Sequence, residues 1–524
     1  MSLLEFNYDA DGNKVHITAK NTMLSVKQST KSVRRADIMV KGYKFDVSGR
    51  GNIQLMPLVR SSTTGDESSF LRVLVNQFPS ESPVTFRDPF PSYLTPTLIH
   101  SFNTSWSGLD TDFGITYDHL FFCWYQTFGD GNTRFSRISF IDGQEDASII
   151  ASNFALDFAV ILSNETVYAF GHEPGAFDDS ILIKLNFCDE TYEAVVSESG
   201  DIIYNGKSYS RLSHLFAVHH SYNDYNYIVF GVMFYTASYE TLIQVTWYDL
   251  DTGTVSDVQY AEVTSSPILW YSSNVNISKD WIVTNFVSNF GSLTSSVNVC
   301  PYPMAVINSA DKTVLISDNI VETVDGSTPG MYNTQPVIDR TTDIAYFFHA
   351  DENTTGPFYL KYVTLSDGIM YSTAVSSFYL PRVRQGDQKA YAFIWKLRTE
   401  AGVDYYQLYR LPDWVPLGLG FPKSLHTGSA TPVFWGSIDE VNSRFWVAQA
   451  SSLLGVSLEE GNEESVSIPI NWPGGNIPFS YWFTRYVGTS IICGKAIMHV
   501  MSENDSGAYQ TDFYLLTPPS DCGD

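Results

Sequence analysis

The sequence predicts an all-β chain, a large β-propeller preceded by a small N-terminal β module. Three observations carry that expectation. Of 524 residues, 15% are aromatic and only 17% charged, with 34 Phe and 32 Tyr, a composition that favours strands over helices. One pattern of strands and turns recurs along most of the chain. The first ninety residues do not follow it.

The repeat is one of pattern rather than of letters. An apolar or aromatic strand leads into a Gly/Asp/Asn turn, a second apolar strand, a second acidic turn and a third, weaker strand. The first copy begins at Leu120 (LFFCWYQT), turns at Gly129–Asn132, and continues through RFSRISF, Asp142–Gly143 and ASIIA. Further copies begin at Val167, Tyr227, Trp281, Ile344, Tyr391, Phe445 and Ile491, at intervals of 46 to 63 residues. That is the period of a four-stranded propeller blade with variable loops. A single small sheet cannot bury both of its faces, whereas blades stacked around an axis cover one another and leave only short edges. DFGITY, LDFAVI, LFAVHHS and PVFWGSI read as innermost strands ahead of their copies.

Eight copies predict eight blades; seven follow if one pair is an insertion. The chain runs out soon after the third strand of the last copy. The missing outer strand is therefore expected from residues 70–100, which would close the ring.

Residues 1–90 alternate in KVHITAK, ADIMVKGYKFDV, NIQLMPLV and FLRVLVNQF, which predicts four or five strands. SSTTGDESS reads as a loop within this module, and SESPVTFRDPFPSYLTPT as a Pro-rich linker. The domains expected are thus 1–90 and 91–524.

Charge follows the same division. The net charge is −26. Residues 1–90 hold 12 Lys and Arg against 9 Asp and Glu, and 91–524 hold 19 against 48. So acidic a body repels nucleic acid and anionic membrane surfaces. No sequence-specific nucleic-acid binding is expected. No stretch of 18 apolar residues occurs, so no membrane insertion is expected either. The N-terminus lacks the basic and apolar regions of a signal peptide. Five scattered cysteines without CxxC or zinc spacing predict free thiols made in a reducing cytoplasm.

Catalytic motifs are missing. His172–Glu173 has no second histidine one helical turn later, and no GxSxG elbow occurs. Gly206–Lys207–Ser208 lacks the spacing and the helix of a phosphate loop. Asp9/Asp11 and Asp249/Asp251 look like fragments of calcium loops but fit hairpin turns better. His219 and His220 would point to opposite faces of a strand, one buried and one exposed, and so share no metal. Paired carboxylates near the axis could hydrolyse glycosides. The candidates by position are Asp112, Asp157, Asp343 and Asp439, most of them beside turn residues where ordinary solvation accounts for a carboxylate. Trp106, Trp270, Tyr271, Trp414, Trp435, Trp472 and Trp482 lie in or near predicted loops or strand ends, where they could stack on glycans or pack between blades. No catalytic, cofactor-binding or metal-ligating residue is assigned, and no cofactor is expected.

The N-terminal β module, Pro-rich joint, acidic propeller, unpaired cysteines and missing secretion signal together resemble the propeller-bearing virion proteins of tailed bacteriophages, such as tail nozzle, hub or fibre components. The resemblance is architectural. It implies a non-catalytic structural protein of the virion, made in the host cytoplasm. Residues 1–90 would dock on other virion proteins, and the chain would form homo-oligomers. The propeller would act in assembly, as a DNA conduit, or in attachment to a host surface glycan or receptor. The alternative is a carbohydrate-binding or glycoside-hydrolysing propeller.

Overall fold

In the computed structural model the described residues are strands between residues 3 and 76 and most of residues 92–517. Several loops, the longest at 264–274, 286–303, 318–331, 423–436 and 473–482, lie outside them. The N-terminal strands form two antiparallel sheets: Leu3–Tyr8 with Val15–Lys20, and Val33–Val40, Tyr43–Pro57 and Leu71–Asn76 in that order. The loop predicted at 61–69 lies outside the described residues.

From residue 95 onward the strands among the described residues form eight antiparallel sheets of four or five strands each. Blades 1 to 7 are local in sequence, at residues 111–151, 155–199, 202–263, 275–317, 332–375, 382–422 and 437–469. Blade 8 takes three strands from residues 483–517, and its outermost strand is Thr95–Thr104, paired antiparallel with Tyr509–Thr517. The ring is closed as the missing strand predicted, and the described residues form the eight blades expected. Pro96 sits in this closing strand, where one side faces no further strand and a missing N–H costs little. The sequence SESPVTFRDPFPSYLTPT is therefore not all linker, because its last residues belong to the ring. Just before them, the Leu94 N–H donates to the Pro469 carbonyl and the Asn471 N–H to the Leu94 carbonyl, which fastens the segment to blade 7 as well.

The recurring apolar runs are inner strands of the blades, each paired with the strand that precedes it; the start of the last copy, at Ile491, lies outside the described residues. Leu120 lies in His119–Gln126, Val167 in Thr166–Glu173, Tyr227 in Tyr225–Tyr235 and Tyr391 in Ala390–Arg398. Such a strand is covered on both faces by neighbouring blades, so it loses the apolar–polar alternation of a half-exposed strand. In Tyr225–Tyr235 every residue from Ile228 to Phe234 is buried. The interior divides accordingly: among the described residues eight apolar clusters occur, one at each junction between consecutive blades. Phe121, Ile149, Phe154 and Ile183 join blades 1 and 2, and Ile99, Leu120, Ile138 and Phe513 join blades 8 and 1. This is the physical content of the propeller, a ring of interfaces with no single central core.

Polar ties at one end of the ring reinforce these junctions. The turns between first and second strands reach from blade to blade. Tyr225 donates to Asp280 at 3.0 Å, Lys279 pairs with Asp343 at 2.8 Å, and Lys389 donates to Thr341 at 2.8 Å. The backbone N–H groups of Gln388 and Lys389 donate to Glu440. Exposed pairs of this sort contribute little individually, but they fix the angular order of blades 3 to 7.

Candidate functional site

Toward the opposite end, the junction of blades 2 and 3 carries a polar seam. It begins on the innermost strand of blade 2, Ala155–Ile161. Here Ala155 and Leu156 face His172 and Gly171, and Phe158 faces Phe170, so Asp157 is the extra residue of a β-bulge. A bulge re-aims side chains, and bulges concentrate beside functional sites. Gly171 makes this one feasible: a Cβ there would lie 1.9 Å from the Ala155 carbonyl oxygen.

The facing strand, Lys207–Tyr222 of blade 3, is bulged twice, after Arg211 and after His214. Arg211 opposes Phe234 and His214 opposes Val232. Phe234 and Val232 are two residues apart and share a face, so the first bulge brings Arg211 and His214 to the same side of the strand. Gly231 leaves room for the Phe216 ring at the second bulge.

These shifts converge on Asp157. Its Oδ2 lies 2.6 Å from His214 Nδ1 and 3.0 Å from His172 Nδ1. His214 Nε2 lies 2.7 Å from Ser180 Oγ, to which Arg211 also donates. Arg211 sits over the Phe234 ring and 4.0 Å from Glu198, which accepts from Gln244 at 2.8 Å. Arginine only donates, so Ser180 accepts from Arg211; the ionised Asp157 only accepts, so the Nδ1–H groups of His172 and His214 donate to it. Burial opposes ionisation of Asp157, yet the hydrogen bonds and positive charge of His172 and His214 outweigh it and hold the carboxyl below its usual range. The Asp157 side chain is 31% exposed, whereas those of His172 and His214 are 11% and 4%. The seam therefore opens to solvent at the carboxylate and is sealed behind it.

Two kinds of chemistry fit the residue types. Ser180, His214 and Asp157 stand in the order of a nucleophilic triad. However, Ser180 is 1% exposed and its oxygen is held by Arg211, so a substrate carbonyl has no approach to it. The second is metal ligation. Asp157, His172 and His214 each present a donor atom, all within 4.8 Å of one another. Two imidazoles and a carboxylate suit a first-row transition ion.

The other residues singled out in the sequence are placed elsewhere. His220 is buried between blades 3 and 4, bonded to Ser309 and to the Lys279 carbonyl, while His219 is half-buried and bonded to Asn226. They point apart, as alternation requires. Asp343 pairs with Lys279. Asp339 and Asp439 end the inner strands of blades 5 and 7; Asp339 accepts from the turn residues Thr341 and Thr342, and Asp439 from Trp446 Nε1. Of the four carboxylates considered for hydrolysis, only Asp157 is joined to catalytic-type neighbours among the described side chains; that of Asp112 lies outside them. Asp249 accepts from the N–H groups of Asp251 and Thr252 and so shapes a turn. Asn205 and Gly206, both at positive φ, make the hairpin turn before Lys207. Trp472 is buried between blades 7 and 8, and Trp414 packs edge-on to Tyr409. Cys188 is a free, exposed thiol. The remaining tryptophans named above, Tyr271 and the side chains of the other cysteines lie outside the described residues.

No family model matches the chain. No curated protein matches it either. Among solved structures, it is similar to the WD40 domain of SCAP from fission yeast at 10% identity and a TM-score of 0.40, over 82% of this chain and 99% of that one. The dihydro-heme d1 dehydrogenase NirN follows at 10% identity and 0.38, over 75% and 76%. An oligogalacturonate lyase in complex with manganese follows at 8% and 0.33, over 83% and 99%. Likeness at this level concerns fold alone. The blade assignment rests on the strand pairing of the chain itself.

Proposed function

We propose that this chain is a non-catalytic structural component of a tailed-bacteriophage virion, with residues 1–90 docking on other virion proteins or on further copies of the chain. The acidic propeller projects from that base and serves in assembly or host attachment. The observation that carries this reading is the coincidence of the charge division with the ring's point of entry. The near-neutral N-terminal strands precede the outermost strand of blade 8, so the polypeptide enters the ring at its rim. A base of balanced charge can sit against an acidic neighbour, while the bodies, with 19 basic and 48 acidic residues each, repel one another and point outward.

Light scattering on the full-length chain and on a variant lacking residues 1–91 tests this. Thr95–Thr104 is retained in the shorter chain, so its ring can still close. A defined oligomer for the full-length chain and a monomer for the shorter one is the result expected. A full-length chain that stays monomeric at every concentration, and gains no mass when mixed with tail proteins, overturns the reading.

A further inference from the structure

We infer that Asp157, His172 and His214 bind one divalent transition-metal ion of the zinc class, bridging blades 2 and 3 at the inner edge of the ring. The inference is independent of the virion role.

Geometry and chemistry agree on this. The donor set is two nitrogens and one oxygen with no thiolate, which disfavours calcium and magnesium, both of which prefer oxygen ligands. At present Asp157 Oδ2 stands 2.6 and 3.0 Å from the two Nδ1 atoms. Around an ion with bonds of about 2.1 Å, tetrahedral donors stand roughly 3.4 Å apart, so Asp157 Oδ2 needs to draw back from each nitrogen by less than about 1 Å. Asp157 can supply that movement, because it is the unpaired residue of a bulge and its side chain is 31% exposed.

Ligands also need outer partners that fix their orientation, and His214 has one. With Nδ1 on a metal, its Nε2 carries the proton and donates to Ser180 Oγ at 2.7 Å. Ser180 then accepts from both His214 and Arg211, as its two lone pairs permit. Ser180 and Arg211 are buried, so this support does not depend on solvent. Binding displaces the two imidazole protons now shared with Asp157 and requires the Nε2 proton of His214 to face Ser180. The three protein ligands leave a fourth position on the side where Asp157 meets solvent, open to water or to an oxygen ligand.

The test uses full-length protein freed of metal by chelator. Zinc chloride is titrated in by calorimetry, and bound metal is counted by mass spectrometry. One equivalent per chain is expected, with at least a tenfold loss of affinity in Asp157→Ala and in His172→Ala. Ser180→Ala should keep the stoichiometry and weaken binding by about tenfold. Cobalt(II) gives a second reading, since two hyperfine-shifted imidazole N–H resonances are expected, falling to one in His172→Ala. Circular dichroism verifies that each variant is folded, and His172→Gln replaces His172→Ala if that variant is not. The proposal is overturned if the folded wild type takes up no saturable equivalent of zinc, or if folded Asp157 and His172 variants bind as the wild type does.

Discussion

His214 Nδ1 lies 2.6 Å from Asp157 Oδ2, across a blade boundary and 57 residues of chain. The contact forms part of a hydrogen-bonded run that links Arg211, Ser180, His214 and Asp157, which also accepts from His172. The run crosses a junction otherwise filled by Phe170, Phe230 and Tyr209. Buried networks of this kind favour one register between packed elements, and removing a member leaves its partners buried and unpaired.

Asp157→Asn is therefore expected to destabilise the metal-free protein by about 1–3 kcal/mol, because a neutral amide accepts more weakly from two imidazoles. Combined with His214→Gln, the loss should fall short of the sum of the single effects by about 1 kcal/mol or more, as for residues in direct contact. Urea denaturation of the four proteins measures both quantities. Additive effects would mean that the 2.6 Å contact couples the two residues no more than distant ones.

Gly171→Ala should cost more than its size suggests, about 3 kcal/mol or above, since the new methyl meets backbone that no rotamer change can move. The obstacle is the Ala155 carbonyl, 1.9 Å from the added Cβ. Gly206→Ala is the control. Nothing lies within 4 Å of its Cβ position, and only its φ of +77° opposes the change, for about 1 kcal/mol. Thermal unfolding of the two variants should show the larger drop for Gly171→Ala. The same variant should also bind zinc less tightly, because the bulge that presents Asp157 would have to reform.

The ring was legible in the sequence and the seam was not, and strand geometry explains both. Runs such as YIVFGVMFY and IAYFFHA stand out because burial on both faces removes alternation, and their recurrence gave the blade period directly. Closure by a strand before the first blade followed from the missing partner of Tyr509–Thr517, although Pro96 and its neighbours read as linker because Pro marks turns more often than edge strands. The site depends on departures from alternation instead. With a strict two-residue period, Arg211 and His214 fall on opposite faces, and Asp157 looks like a solvated residue beside a turn. Three bulges undo that assignment, and a bulge leaves little trace in a single sequence. Gly171 and Gly231, each inside an apolar inner strand, were the available signals.

Ring closure depends on which face of the last strand to join is buried. Ile99 is 5% exposed against Leu120 and Phe513, while its neighbour Leu98 is 49% exposed. Ile99→Ala should lower stability by about 2–4 kcal/mol, and Leu98→Ala by no more than about 0.5 kcal/mol. Chemical denaturation reads both. Equal effects would argue against blade 8 closing in this register.

His220 provides the pH dependence. The Lys279 carbonyl can only accept, so His220 Nε2 carries the proton, and Nδ1 accepts from Ser309, which in turn accepts from Trp247 Nε1. A second proton on Nδ1 would break that order in a buried place. Burial lowers the pKa of His220 from 6.5 to about 4, against the upward pull of the Lys279 carbonyl and Asp280 and together with the charge of His219. In the unfolded chain the ring takes up its proton near pH 6.5, while in the folded protein it stays neutral down to about pH 4. The unfolded state binds more protons in that window, so stability is full above pH 6.5 and declines as pH falls toward 4. The decline attributable to this residue is about 3 kcal/mol at most. Urea midpoints for wild type and His220→Gln across the window isolate it, because the variant should be less stable at neutral pH and lose less on acidification. Parallel pH profiles for the two proteins would show that His220 is not the group held neutral.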